Sequence, residues 1–415
     1  MRDVALSTRP IGYFVHHQGR GHAERCAAIL NALPRSRPAT VFCADPSVLP
    51  PLRDGVEIRQ IPSLFERGGG EACAMDHVPT PETLHCAPLG WPGIRAAMGE
   101  IAGWFARADP ALMVCDVSAE IAQLARICAV PHVKVLQHGD RTDPGHMAAY
   151  TGAAGLIAPF AAALAEPDWT DEMRAKTIHA GGLGTAPCSL DRTAARVALG
   201  LPPDREIVLV LSGAGGSGLR EAPLGVGARG MPEALWITLG RIDTDWHATA
   251  PGNLRHEGWS DTPQSWIAAA DLVVASTGNT TAGQVLSAGR PWIAVPEWRY
   301  FDEQLRKAEA LDRAGVALYL PHLPSSAQGW RRAVALVRAA HDPDRQRGMI
   351  EPDPAGRVAD WLDALSDRLW ADTPHAPRQE IRHDPFDLGP DHRRRSPGAS
   401  GQHDPRAEPS DPPPR

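Results

Sequence analysis

The feature that most constrains this chain is the run Ile207-Val208-Leu209-Val210-Leu211, followed at once by Ser212-Gly213-Ala214-Gly215-Gly216-Ser217-Gly218. A strand that is apolar on both faces must be covered on both, which points to a parallel sheet with helices above and below. Four glycines in the seven residues behind it suggest backbone that approaches a ligand closely. The same unit recurs at Asp271-Leu272-Val273-Val274-Ala275, which runs into Ser276-Thr277-Gly278-Asn279-Thr280-Thr281 and a helical stretch to Ala288. Strands at 235–239 and 292–295 and a helix at 302–314 complete the unit.

The first half shows the same alternation. Residues 10–15 and 39–43 read as strands, with a helix at 22–33 that places Cys26, Ile29, Leu30 and Leu33 on one face. A strand at 112–115 ends in Asp116, a helix covers 119–128, and a strand at 131–136 ends in Gln137-His138-Gly139-Asp140. The expected fold class is therefore α/β, with two Rossmann-like doubly wound parallel-sheet domains. The expected boundaries are 1–180 for an N-terminal acceptor domain and 181–345 for a C-terminal donor domain. A helix at 346–371 is expected to pack back toward the N-terminal domain, and 372–415 is expected to be a disordered Pro/Arg/Asp-rich tail. The tail's Arg393-Arg394-Arg395 reads as solvated charge or as a weak docking site for acidic headgroups.

Bulk properties narrow the function. A net charge of −7 leaves no electrostatic footprint for nucleic acid. Seven scattered cysteines without a CxxC pair argue against a disulfide framework or zinc knuckle and for a reducing cytoplasm. The first residues carry no signal-peptide pattern, and no apolar run is long enough to span a bilayer. Residues 85–108 hold Trp91, Ile94, Met98, Ile101, Trp104 and Phe105 among few charges, which suits either a buried helix or a patch resting on a membrane interface. The expected location is cytoplasmic, with peripheral contact at the inner face of the membrane as the variant reading.

Four segments carry candidate chemistry. The turn Ser276, Thr277, Gly278, Asn279, Thr280 opens a helix whose N–H groups and dipole favour an anion. Ser212, Gly213, Gly215 and Gly216 form a second such turn, and ligands of open α/β sheets lie beyond the carboxyl ends of strands. The segment Pro296-Glu297-Trp298-Arg299-Tyr300-Phe301-Asp302-Glu303-Gln304 offers acceptors and an amide suited to sugar hydroxyls; it reads equally as a helix start with Asp302 as N-cap. Gly19, Arg20, Gly21 and His22 follow the first strand. There the helix dipole disfavours a cationic His22, and Asp116 can fix its tautomer. His16, His17 and His138 compete for that role. Asp243-Thr244-Asp245 has the letters of a metal-binding pair but lies in a loop, so no metal is expected.

Over residues 10–370 the chain resembles the GT-B glycosyltransferases, in the group that includes the peptidoglycan N-acetylglucosaminyl transferases. The resemblance is carried by Ala270-Asp271-Leu272-Val273-Val274, Ser276-Thr277-Gly278, Ser287-Ala288-Gly289-Arg290-Pro291, Val295-Pro296 and Glu303-Gln304. It implies that the turns at 212–216 and 276–280 embrace the diphosphate of a nucleotide sugar, UDP-linked, and that Glu303 and Gln304 hold the sugar, with Glu297 nearby. It implies that Gly19 to His22 face the acceptor, with His138 on the same side, and that His22 and Asp116 form the His–Asp pair of the plant-type relatives. The family often carries a glutamate for the ribose hydroxyls where Gln284 stands here. The expected reaction is an inverting, metal-independent transfer of a hexose or N-acetylhexosamine, with no cofactor beyond the nucleotide-sugar substrate and an acceptor left open among glycan, lipid-linked and small-molecule classes. A nucleotide-sugar 2-epimerase or hydrolase on the same fold, or a non-catalytic nucleotide-sugar-binding protein, are the alternatives.

Overall fold

The computed structural model describes residues 9–68, 73–186, 189–213, 218–243, 249 and 251–371. Gly215, Gly216, Thr244, Asp245, Cys188 and the tail 372–415 lie outside the described residues.

The first half supplies β1 (Ile11–Val15), β2 (Ala39–Cys43), β3 (Val56–Gln60), β4 (Leu112–Asp116), β5 (His132–Val135), β6 (Gly155–Ala158) and β7 (Thr177–His179). They form one parallel sheet in the order β3-β2-β1-β4-β5-β6-β7. Its helices are α1 (Arg20–Ala32), α2 (Pro92–Ala108), α3 (Ala119–Ile127), α4 (Pro144–Thr151) and α5 (Asp171–Ala175). Every residue of β1, β2 and β4 is buried, as a two-faced sheet requires. The edge strand β3 reads Val-Glu-Ile-Arg-Gln and exposes three of its five side chains, which blunts the edge against pairing with another chain.

The second half supplies β8 (Ile207–Leu211), a short parallel pair of β9 (Leu219–Arg220) and β11 (Ile242–Asp243), β10 (Leu235–Leu239), β12 (Leu254–Gly258), β13 (Leu272–Ala275), β14 (Trp292–Ala294) and β15 (Leu318–Tyr319). Its six-stranded parallel sheet has the order β12-β10-β8-β13-β14-β15. Around it run α6 (Arg192–Ala198), α7 (Glu221–Gly230), α8 (Pro263–Ala269), α9 (Asn279–Ala288), α10 (Glu303–Arg313), α11 (Ala327–Ala340), α12 (Pro343–Arg347) and α13 (Pro354–Trp370).

Alternating residues of β1 feed two layers. Ile11, Tyr13 and Val15 pack with Cys26 and Leu30 of α1 and with Val358 and Leu362 of α13. Phe14 packs on the other face with Ile101 and Trp104 of α2. A Cβ on Gly12 would come within 3.0 Å of the Trp104 ring, so that glycine makes room for the indole. Ile101 and Trp104 are essentially buried, each contributing about 1.5–3 kcal/mol. The Ile101–Trp104 side of α2 therefore belongs to the core, while Trp91, Ile94 and Met98 of the same stretch are only half-buried. Helix α13 is pinned to the first half by Arg37, which donates to Asp363 at 2.7 Å and to Asp367 at 2.8 Å. A further apolar cluster runs from Leu136, Tyr150 and Phe160 in the first half to Leu209, Ala275 and Leu311 in the second. Among the described residues, no helix is long and apolar enough to cross a membrane, and the six cysteines are free thiols.

Candidate active site

Each sheet has one point where strand order reverses, and a crevice opens there beyond the carboxyl ends of the strands. In the first sheet it lies between the neighbours β1 and β4. Helix α1 starts behind β1, so His22 sits in its first turn; Asp116 is the last residue of β4. His22 Nδ1 lies 3.0 Å from Asp116 Oδ1. One turn along α1, Arg25 donates to the same carboxylate, through Nε to Oδ2 at 3.1 Å and through Nη2 to Oδ2 at 2.8 Å and Oδ1 at 2.9 Å. Asp116 is fully buried and Arg25 is 1% exposed. Burial alone would raise the Asp116 carboxyl; the Arg25 cation and His22 overcome it and hold the group well below the usual carboxylate range.

Arg25 Nη2 also lies 2.9 Å from His22 Nδ1. Both groups cannot donate along that line. An ionised carboxylate only accepts, so the arrangement that satisfies all three has the Nδ1–H and the guanidinium both pointing at Asp116. That tautomer leaves His22 Nε2 with a free lone pair.

The backbone behind Asp116 is strained. Val117 has φ +80°, a region costly for a β-branched residue, at about 1–3 kcal/mol. Lys134 holds it, donating through Nζ to the Val117 carbonyl at 2.9 Å, and Ser118 caps α3 immediately after. Burial lowers the Lys134 ammonium to about 8. The flanking histidines take other places. His16 stacks on Phe65 with ring centroids 4.2 Å apart, and burial, with His22 and His17 adding to it, lowers it to about 4. His17 Nε2 meets Glu66 at 3.2 Å. Gly19, at φ +94°, precedes α1, and exposed Arg20 reaches Glu24 at 3.4 Å. His138 is fully buried against Phe160 with Nε2 2.8 Å from the Leu164 carbonyl, so it packs its loop and leaves no face for an acceptor.

In the second sheet the reversal lies between β8 and β13, which pair through Leu211 and Ala275. Their turns lie side by side: a Cβ on Gly213 would stand 3.5 Å from Ser276 Oγ. Among the described residues, the buried Ser212 Oγ has no hydrogen-bond partner, an arrangement that usually signals a missing one. Gly278 precedes α9 with φ −56°, and a Cβ there would meet nothing among the described residues within 4 Å. The fold therefore does not need that glycine; it keeps the space beyond the helix N-terminus open. Thr277 is spent internally, donating to the Gln304 carbonyl at 2.6 Å. Gln304 in turn accepts from the Glu297 N–H at 2.8 Å, which leaves its NH₂ as the group available to a ligand. Asn279 Oδ1 accepts from the buried Lys307. Gln284 is buried in the second turn of α9. Glu297 pairs with Arg299 at 3.0 Å, while its other oxygen is buried without a partner among the described residues.

The two crevices meet. A Cβ on Gly21 would lie 3.3 Å from Thr280 Oγ1, so the turn before His22 touches the start of α9. A second seam joins the loop after β5 to the start of α10. Asp140 donates its N–H to the Phe301 carbonyl at 2.7 Å, the Arg141 guanidinium lies 4.5 Å over the Phe301 ring, and Arg141 reaches Glu303 at 3.4 Å. Phe301 and Asp302 both have positive φ, at 63° and 53°. Asp302 stands at the N-cap position, as the sequence suggests, with Glu303 opening the helix; its left-handed backbone is unlike an ordinary cap, and its side chain makes no capping bond.

Sequence reasoning passed over Arg25, Lys307 and a group of His85, Asp143 and His146, whose ligand-type atoms lie within 4.8 Å of one another. Arg141 Nη1 is 3.4 Å from His146 Nε2, which places the His146 proton on Nδ1, donating to Asp143 at 2.5 Å. That is a hydrogen-bonded array beside the seam. For Arg25, the i, i+3 spacing from His22 was the available signal.

No family model matches the chain. It is 29% identical to a UDP-N-acetylglucosamine–N-acetylmuramyl-(pentapeptide) pyrophosphoryl-undecaprenol N-acetylglucosamine transferase of Salinibacter ruber over 194 residues, 43% of this chain and 51% of that protein. The enzyme of the same name from Halorhodospira halophila is 40% identical over 96 residues, 22% of this chain and 27% of that one. The chain thus spans about half the length of the first curated relative and less of the second. Among solved structures, a glycosyltransferase of kitacinnamycin superposes with TM-score 0.62 at 16% identity, covering 86% of this chain and 99% of that one. MurG of Acinetobacter baumannii superposes with TM-score 0.57 at 14% identity, with the same coverage of both chains. Two parallel α/β sheets facing across a cleft, superposable on these structures, have the GT-B fold.

Proposed function

We propose that this chain is a glycosyltransferase that moves a hexose or N-acetylhexosamine from a UDP-sugar to an acceptor hydroxyl. The observation that carries the reading is the contact of Gly21 with Thr280, which sets the His22–Asp116 pair against the open N-terminus of α9. In this reading His22 Nε2 takes the acceptor proton while Asp116 and Arg25 stabilise the imidazolium that forms. The acceptor oxygen attacks the anomeric carbon as its bond to the diphosphate breaks on the opposite face, so configuration inverts. The leaving diphosphate rests on the N–H groups of α9 and on the hydroxyls of Ser212, Ser276 and Thr280. Glu303 and the Gln304 NH₂ face the sugar. The similarity to named N-acetylglucosamine transferases supports UDP-N-acetylglucosamine as the first donor to try.

The test is incubation with UDP-N-acetylglucosamine and UDP-glucose, with and without a panel of hydroxyl acceptors, reading free UDP and sugar products by chromatography. The proposal expects acceptor-dependent UDP release together with a new glycoside. UDP release at the same rate without acceptor would make the chain a hydrolase, an isomerised sugar would make it an epimerase, and donor binding without any turnover would make it a sensor.

A further inference from the structure

Lys307 is 2% exposed and forms no ion pair among the described residues. Its hydrogen bond goes to a neutral group, the Asn279 side-chain carbonyl. Asn279 is the first residue of α9, so the ammonium lies beside the positive end of a helix dipole. A buried cation without a carboxylate is costly, and a like-signed dipole adds to that cost. Both costs are relieved at once by an anion seated at the α9 N-terminus. Ser212 Oγ, in the turn that lies beside Ser276, is a buried polar group without a hydrogen-bond partner among the described residues.

Resting on the donor reading above, we propose that Lys307 is the fixed counter-charge for the donor's diphosphate. It acts as a positioning residue: Asn279 relays its charge to the phosphate and is held by it in the first turn of α9. Binding of a diphosphate then stabilises the ammonium.

The surroundings set the sign of the pH dependence. Glu303 on its own helix and Glu166 from the segment before α5 favour the charge on Lys307, whereas Arg25 of α1 opposes it; His138 from the loop after β5 is also close. The other side chains around it, among them Phe160, Leu286 and Ile350, are apolar. In the free protein, burial lowers Lys307 to about 8. A bound diphosphate raises it again, so UDP binding takes up a proton above about pH 8, and affinity falls as pH rises through that range.

The experiment is calorimetric titration of the full chain with UDP and with uridine, for wild type and Lys307→Met, at pH 7 and at pH 8.5 in two buffers of different ionisation enthalpy. The expected result has three parts: UDP affinity about tenfold weaker in the variant at pH 7, uridine affinity unchanged, and proton uptake at pH 8.5 in wild type alone. Equal UDP affinity in the two proteins overturns the proposal. So does an equal loss for UDP and uridine, which marks a displaced helix. If the variant does not fold, the wild-type titration decides alone: UDP binding without proton uptake at pH 8.5 overturns the proposal. Absence of any UDP or uridine binding to wild type defeats the donor reading itself.

Discussion

The two crevices occupy equivalent places in equivalent sheets and are built from opposite materials. The first is made of charged side chains that satisfy one another: buried Asp116 takes three bonds from buried Arg25 and faces half-buried His22. The second presents small residues and backbone, with a buried cation, Lys307, set behind Asn279, a hydroxyl left unsatisfied among the described residues at Ser212, and open space over Gly278. A general base must be aimed before its substrate arrives, so its charges are paired inside the protein. A diphosphate brings its own charge, so its seat presents unspent donors.

The comparison breaks most sharply at His22. Replacing His22 with Ala should lower transfer by about 10²–10⁴-fold, the range of a general base, while UDP affinity stays within about twofold. Turnover and calorimetry on one preparation check this, and a parallel loss of both would merge the two crevices into one function.

Next in size is the stability of the buried triad. Asp116→Ala leaves Arg25 unpaired and should cost about 3–5 kcal/mol in denaturant unfolding. Asp116→Ala combined with Arg25→Met should recover part of that loss, because neither charge is then stranded. Additive losses would show that the pair is not the source of the cost.

Acid titration sharpens the same point. Asp116 is depressed in the folded protein, so its contribution is complete above the ordinary aspartate value of about 3.9 and is lost as pH falls through the lower folded value. Urea unfolding of wild type against Asp116→Asn should therefore show a stability gap that is constant near neutral pH and narrows below about pH 4. A gap that widens on acidification would reverse the assignment.

The smallest effect is expected at Ser212. Removing an unpartnered buried hydroxyl in Ser212→Ala should leave the free protein unchanged or more stable by about 1 kcal/mol, while UDP affinity falls about fivefold, the size of one neutral hydrogen bond. Unaltered UDP affinity would make that hydroxyl a packing defect.

The turns at both crevices were readable because a buried parallel strand leaves a distinctive record, an apolar run closed by small residues, as at 207–218 and 272–281. His22 and Asp116 were readable because each sits at a strand end, and chain order alone carries them there. The buried charges were not. Arg25 and Lys307 lie on helices among polar neighbours, where a cation ordinarily reads as solvated surface, and only tertiary packing shows that both are covered. The left-handed backbone at 301–302 was not readable for a related reason. Asp before Glu-Gln is a strong cap signal, but the seam with Asp140 and Arg141 overrides local preference and drives both residues into the left-handed region. Helix α11 buries Trp330, Ala333, Val334 and Val337, a helical spacing that the sequence itself carries.

Gly278 offers the most direct test, because a Cβ added there meets no atom of the described residues within 4 Å, so a substitution bears first on the space open to the ligand. UDP titrated calorimetrically into wild type, His22→Ala and Gly278→Leu, with each variant's unfolding free energy within about 0.5 kcal/mol of wild type, is the decisive comparison. The account predicts equal binding to the first two and loss of binding in Gly278→Leu; UDP binding to Gly278→Leu as tightly as to wild type would contradict it.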